Sequence, residues 1–311
     1  MSDPVAICFV LANPREETRA ERWERRTRSW LQEVPLVRDG IMPRWSPRRR
    51  LGFGAGLRAC VNSLRRHHAK LPPIIVLRPE GDGPTLADVD EVRTFDPAPY
   101  AQIPVASSYW GRETFYKLAL FALRGFERVV YLDCDTLVLD DVSALWDDGQ
   151  HADADLYAVR ETRDMGVLTS ALGKLNSGVL VLNRALLSAD VHRRMIEIAR
   201  AGTSYDAGDQ GILHQFLEEN PQLRVGELDP AFNVMVIWKK CGRWEQIEDR
   251  VRILHYVNGF KPWSPYHAYD VLYDADLKRL WDDAYRGAMA PIARRAVGAD
   301  ADPAAPDLDL D

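Results

Sequence analysis

Unbroken apolar runs of strand length alternate along this chain with segments of helical period, and that alternation narrows the fold more than any other feature. The first run, Val5-Ala6-Ile7-Cys8-Phe9-Val10-Leu11-Ala12, stops at Asn13-Pro14. Ile74-Ile75-Val76-Leu77, Val92 to Phe95, Val129 to Asp133, Asp135 to Leu139, Leu156 to Val159, Val179 to Asn183 and Val251 to Leu254 read as further strands. A strand apolar at consecutive positions is covered on both faces, as a sheet between helices is. Leu57, Cys60, Val61 and Leu64 recur at helical spacing until Pro72-Pro73, and so do Phe115, Leu118, Ala119 and Ala122 ahead of Gly125. Val191 to Arg200, Asp209 to Glu218 and Tyr269 to Ala288 supply the remaining helices, after a charged one ending near Leu31. The order predicts an α/β fold in a single domain, with ligands bound beyond the carboxyl ends of the strands.

Composition removes several other classes. With 46% hydrophobic and 28% charged residues, the chain is neither disordered nor collagen-like. No apolar run reaches the length of a bilayer span. Asp3-Pro4 precedes the first run without a basic segment, so no secretory signal is expected. Cys8, Cys60, Cys134 and Cys241 lie far apart without CxxC spacing, which predicts reduced thiols in a cytoplasmic protein. Five aspartates in residues 299–311 carry most of the net charge of -6, leaving a nearly neutral body and an acidic disordered tail. Arginines crowd residues 15–50, but Glu16, Glu17, Glu21 and Glu24 interleave with them at helical spacing. That favours a solvated helix over a nucleic-acid surface, and no nucleic-acid partner is expected.

The sharpest chemical feature is Leu132-Asp133-Cys134-Asp135-Thr136. Carboxylates two apart on an extended segment point the same way, and their repulsion is relieved by a cation between them. A strand-to-turn cap with two solvated aspartates is the competing reading. His255 also ends an apolar strand, and His255-Tyr256-Val257-Asn258-Gly259-Phe260-Lys261-Pro262-Trp263 follows, either as a glycine turn with a fixed lysine suited to a diphosphate or as a plain turn with an exposed lysine and Trp263 in simple packing. Asn176-Ser177-Gly178 precedes a buried strand. Asp206-Ala207-Gly208-Asp209-Gln210-Gly211 opens a helix that Asp209 could simply cap. Lys117 interrupts an apolar helix and either snorkels or reaches a buried anion.

These segments, in this order, resemble the glycogenin-type (family 8) retaining glycosyltransferases of GT-A fold, over residues 5–13 and 52–265. The resemblance implies one GT-A, Rossmann-like α/β domain over residues 1–298, with a mixed, mostly parallel sheet flanked by helices and an insertion at 14–51. It implies a metal-dependent hexosyltransferase that moves sugar from a nucleotide donor, UDP-linked, to a separate and unidentified acceptor. Mn²⁺, with Mg²⁺ as the other candidate, would be held by Asp133, Asp135 and His255. Lys117 and Lys261 would contact the donor diphosphate or sugar. Leu11, Asn13, Cys134, Asn176, Ser177 and Gly259 would complete the donor site, with Asp209 and Gln210 at the reacting face. Retention through a front-face route suits Gln210; double displacement through Asp209 is the other route.

The chain departs from the family at several points. Asn258 stands where relatives place a glycine three residues after the histidine, with Gly259 one later. Glu161 stands where relatives use an aspartate on the donor sugar. Val236-Ile237-Trp238 offers no tyrosine where a self-glucosylating relative carries its acceptor. The insertion, with Trp45 between Pro43 and Pro47 and then Arg48-Arg49-Arg50, leaves the first strand where it could cover the cleft or merely pack as a surface helix. A catalytically silent sugar-nucleotide-binding or scaffold protein of the same fold is the alternative to an enzyme.

Overall fold

The computed structural model describes residues 5–11, 52–81, 86, 89–105, 112–147, 149–161, 173–202, 208–239, 244–257, 261–263 and 274–288. The insertion at 14–51, Asn13, Asn258, Gly259 and the acidic tail lie outside them, as do residues 269–273 of the last expected helix.

Seven strands form the main sheet in the order β3-β2-β1-β4-β7-β6-β8. They are β1 (Val5–Val10), β2 (Ile74–Pro79), β3 (Glu91–Phe95), β4 (Arg128–Leu132), β6 (Leu156–Arg160), β7 (Leu175–Asn183) and β8 (Val225–Glu227). A second sheet of three strands joins β5 (Thr136–Val138), β10 (Ile253–His255) and β9 (Val234–Met235) in the order β5-β10-β9. In the main sheet only the pairs β4/β7 and β6/β7 run antiparallel; the others are parallel. The sheet is therefore mixed and mostly parallel. β8 carries no apolar run to announce it, and of the apolar run Val234 to Trp238 only Val234–Met235 is strand, the rest winding into a 3-10 helix.

Strand side chains alternate between two cores. Ile7, Phe9, Val130 and Leu132 enter one, which α1 (Phe53–His67) and α4 (Ala275–Arg286) cover. Ala6, Cys8, Val129 and Tyr131 enter the other, beneath α2 (Ala189–Ala201), α3 (Asp209–Glu219) and a 3-10 helix, Arg112–Ala122. Burial on both faces explains why these strands read as continuous apolar runs. The 112–122 segment keeps the expected apolar face but winds more tightly than an α-helix. Among the described residues no helix is long and apolar enough to cross a membrane.

Two observations correct the sequence reading. Asn176, Ser177 and Gly178 lie inside β7 rather than ahead of it. Asp209 is the first residue of α3, whose N-cap is Gly208 without any side-chain capping bond. Its carboxylate is engaged elsewhere.

Candidate active site

The carboxyl end of β4 carries Asp133 and Asp135 on a tight turn. Thr136 closes it, donating to the Asp133 carbonyl from its backbone N–H at 3.0 Å and its hydroxyl at 2.8 Å. The chain then enters β5, which pairs antiparallel with β10 so that Thr136 lies opposite His255. The Tyr256 N–H donates to the Asp135 carbonyl at 2.9 Å, completing the clasp. A histidine far away in sequence is thereby fixed against the aspartate pair by strand register. α1 braces the turn from behind: a Cβ at Gly56 would strike the Cys134 carbonyl and the Trp263 ring.

His255 Nε2 lies 3.3 Å from Asp135 Oδ1 and 3.7 Å from Asp133 Oδ2. One ligand atom from each of the three residues fits within a span of 4.8 Å. Donors around one divalent ion stand about 2.0–2.6 Å from it, so such a span is within reach of a single cation. Two carboxylates and an imidazole also suit a cation that accepts oxygen and nitrogen together. The donor set fits a metal.

Two lysines flank the aspartates. Lys261 Nζ bonds Asp135 and also donates to the Tyr256 carbonyl at 3.1 Å. Lys117 Nζ sits between Asp133, at 3.2 Å, and Asp209, at 2.9 Å, and donates to Ser177 Oγ at 3.0 Å. It reaches a buried anion rather than snorkelling. The Tyr131 hydroxyl donates to Asp133. These surroundings split the two carboxylates. Burial raises Asp133 above the usual carboxylate range despite Lys117, and the charge on Asp135 adds to the rise. Burial also opposes ionisation of Asp135, but Lys261 and His255 outweigh it and hold that carboxyl well below the usual range. Lys117 is desolvated, yet Asp133 and Asp209 keep its ammonium above its ordinary value.

The second half of the site lies on β7 and α3. Ser177 Oγ donates to Asp209 Oδ2 at 2.8 Å. The Gln210 carbonyl oxygen accepts the Ser177 N–H at 3.0 Å, while its amide donates to Glu161 at 3.1 Å. Asn176 donates to the same Glu161 oxygen at 2.7 Å. The geometry thus brings together Lys117, Asp133, Asp135, Asn176, Ser177, Asp209, Gln210, His255 and Lys261. Cys134 turns inward and donates from Sγ to the Val10 carbonyl at 3.4 Å, tying β1 to the turn. Leu11 is buried in the core at the end of β1.

Sequence reasoning missed Asn233. It is fully buried on the turn before β9, within 2.8 Å of His255 Nδ1 and 2.7 Å of Asn176 Oδ1. A lone amide inside Ala231-Phe232-Asn233-Val234-Met235 was its only signal.

Comparison with known proteins places this geometry in context. The family model described as Glycosyl transferase family 8 matches residues 85–266. Human Glycogenin-2 is 25% identical over 214 residues, which cover 65% of this chain and 39% of that protein. The chain spans about two fifths or less of the length of such curated relatives. Among solved structures, the galactosyltransferase LgtC in complex with donor and acceptor sugar analogs superposes with a TM-score of 0.57 at 17% identity, covering 92% of this chain and 98% of that one. The glycosyltransferase GlyE of Streptococcus pneumoniae TIGR4 gives 0.55 at 17% identity, over 90% of this chain and 60% of that one.

Proposed function

The chain belongs to glycosyl transferase family 8, with the GT-A fold, and from that premise we propose that it is a metal-dependent retaining glycosyltransferase moving a hexose from a UDP-sugar to a separate acceptor. The observation that carries this reading is the meeting of Asp133, Asp135 and His255 with Lys117 and Lys261 on one side and Asp209 and Gln210 on the other.

Cleavage of a sugar–diphosphate bond builds negative charge on the departing phosphate. Mn²⁺ on Asp133, Asp135 and His255 would supply Lewis-acid stabilisation of that charge. The protein's own residues do the rest. Lys261, now paired with Asp135, offers the diphosphate a cation on a stem held by Pro262-Trp263. Lys117 keeps Asp209 and Asp133 at a fixed spacing, so the Asp209 carboxylate faces the donor sugar from the start of α3. Gln210 is clamped at both ends of its amide, by the Ser177 N–H and by Glu161, which supports a positioning role for it at the reacting face. A clamped amide is a poor nucleophile but a good positioning group, and this favours the front-face route. Leu11, Asn13 and Gly259 border the nucleoside and diphosphate in this reading.

The buried free thiols of Cys8, Cys60 and Cys134 support a reducing, cytoplasmic setting. Residues 14–51 and 299–311 are taken as additions to one catalytic domain.

The test is transfer or donor hydrolysis across UDP-glucose, UDP-galactose, UDP-N-acetylglucosamine and GDP-sugars. Activity should vanish with chelator and return with Mn²⁺. Full activity in excess EDTA would overturn the metal-dependent reading. Donor binding without turnover on any acceptor or water would leave the silent alternative.

A further inference from the structure

The β7/β6 pairing is irregular where the site forms. Leu175 lies opposite Arg160 and Leu180 opposite Ala158, so β7 carries extra residues against β6 between those points. Such a bulge releases backbone groups from the ladder. Here the Ser177 and Gly178 N–H groups bond side chains instead, Gln210 Oε1 and Asn176 Oδ1 respectively.

The second of these bonds settles a chain of orientations. A backbone N–H can only donate, so the Asn176 atom 2.8 Å from Gly178 N is the carbonyl oxygen. Asn233 meets that same oxygen at 2.7 Å and must present its NH₂ group to it. The other end of the Asn233 amide is therefore oxygen, and it lies 2.8 Å from His255 Nδ1. An amide oxygen only accepts, so Nδ1 carries a proton. In the neutral ring the lone pair is then on Nε2, the atom facing Asp133 and Asp135. Asn233, His255 and Asn176 are all buried, so water does not compete for these bonds. Gly178 has a second part in this arrangement: a Cβ there would run into the His255 ring and the Asn176 oxygen.

We propose that Asn233 is a positioning residue that, oriented through Asn176 by the Gly178 N–H, holds His255 in its Nδ1–H tautomer with Nε2 open toward the aspartate pair. The use of that open nitrogen as a ligand rests on the cation reading above; the tautomer itself does not. Ligating histidines are commonly fixed in this manner by an acceptor on the far ring nitrogen. Here the acceptor is itself fixed by a main-chain donor, which no side-chain rotation can reverse.

Imidazole ¹⁵N spectra of the full chain, freed of metal and at a pH where the ring is neutral, test the assignment directly. The His255 signals should show Nδ1 protonated and Nε2 bare; an Nε2–H ring overturns the proposal. Asn233→Leu, checked for folding by its thermal melt, should lose the single tautomer. Its affinity for Mn²⁺ alone, read by titration without donor, should fall by roughly 10–100-fold, as for other partners of ligating residues. Unchanged tautomer and affinity would count against Asn233. Asn233→Ala removes the acceptor with a smaller change in shape and should likewise lose the single tautomer, which decides the matter if the leucine variant does not fold; a ring that stays Nδ1–H in it overturns the role of Asn233. Should Mn²⁺ fail to bind the wild type while Nδ1–H is seen, the cation reading falls and the role of Asn233 stands.

Discussion

The two halves of the site are held by different forces. On the β4/β5/β10 side, Asp133, Asp135 and His255 meet Lys117 and Lys261 through ion pairs on turns and strand ends. On the β7/α3 side, the amides of Asn176 and Gln210, each pinned by a main-chain N–H group, meet on the Glu161 carboxyl. Ion pairs between side chains can exchange partners when a charged ligand arrives, since a lysine on a carboxylate can turn to a phosphate at little cost. Amides tied to a strand cannot turn without leaving a buried donor unsatisfied, at about 1–3 kcal/mol for each group. In the proposed reading one half receives charge and the other keeps shape. Lys117 joins them, bonding Asp133 in the first and Asp209 and Ser177 in the second.

The largest effect should come from the half that receives charge. Asp135→Asn removes the negative charge between His255 and Lys261 that the proposal assigns to the cation, and transfer should fall by about a thousandfold or more, with Mn²⁺ binding lost in parallel. Retained Mn²⁺ affinity in that variant would break the assignment of this half. Asp209→Asn is the sharper comparison across the boundary. Its transfer rate should drop by about a hundredfold while UDP affinity stays within a few fold, because in the proposed reading the carboxylate faces the sugar rather than the diphosphate. Equal losses in both would reduce Asp209 to a structural partner of Lys117 and Ser177.

Smaller effects should appear in the half that keeps shape. Gly178→Ala drives a methyl group into the His255 ring and should destabilise the chain by about 1–3 kcal/mol in urea unfolding. It should weaken Mn²⁺ binding as well, since the ring has to move. The smallest effect is set by pH. The His214 ring is buried and accepts the Leu175 N–H at 2.7 Å, where β7 enters the bulge. Burial lowers its pKa, so the folded state favours the neutral ring. The unfolded chain binds the proton more readily, so this contribution is full above about pH 6.5 and is lost as pH falls toward the folded value. Melts recorded from neutral to mildly acidic pH should show the loss. His214→Gln should flatten that slope; an unaltered slope would remove His214 from the account, leaving His68, His151 and His192, whose values burial also lowers.

The sequence announced the ion-paired half more clearly than the half held by amides. Asp133, Asp135 and His255 follow apolar runs, so local pattern placed them at or just past strand ends, and Lys261 stood out in the glycine turn after His255. Asn176, Ser177 and Gly178 stood out as polar residues next to a strand, but their inclusion in β7 depends on pairing with β4, where the Asp133 N–H donates to the Gly178 carbonyl at 2.9 Å. The family resemblance pointed to Glu161, yet its work as a shared acceptor for Asn176 and Gln210 is visible only in three dimensions. Asn233 had no motif around it.

By itself the sequence determined the α/β class, most of the strands and helices, the family and the residues that carry charge. Burial and periodicity are local properties, and an ionisable group at the end of an apolar run is conspicuous wherever it occurs. Only the tertiary structure decided the β7 bulge, the register that sets Thr136 opposite His255, and the amide chain from Gly178 through Asn176 and Asn233 to His255. Those are contacts between segments far apart in the chain. Hydrogen bonds of neutral groups act only over contact distance and in one direction, so nothing in the neighbouring residues foretells which partner a buried amide will meet.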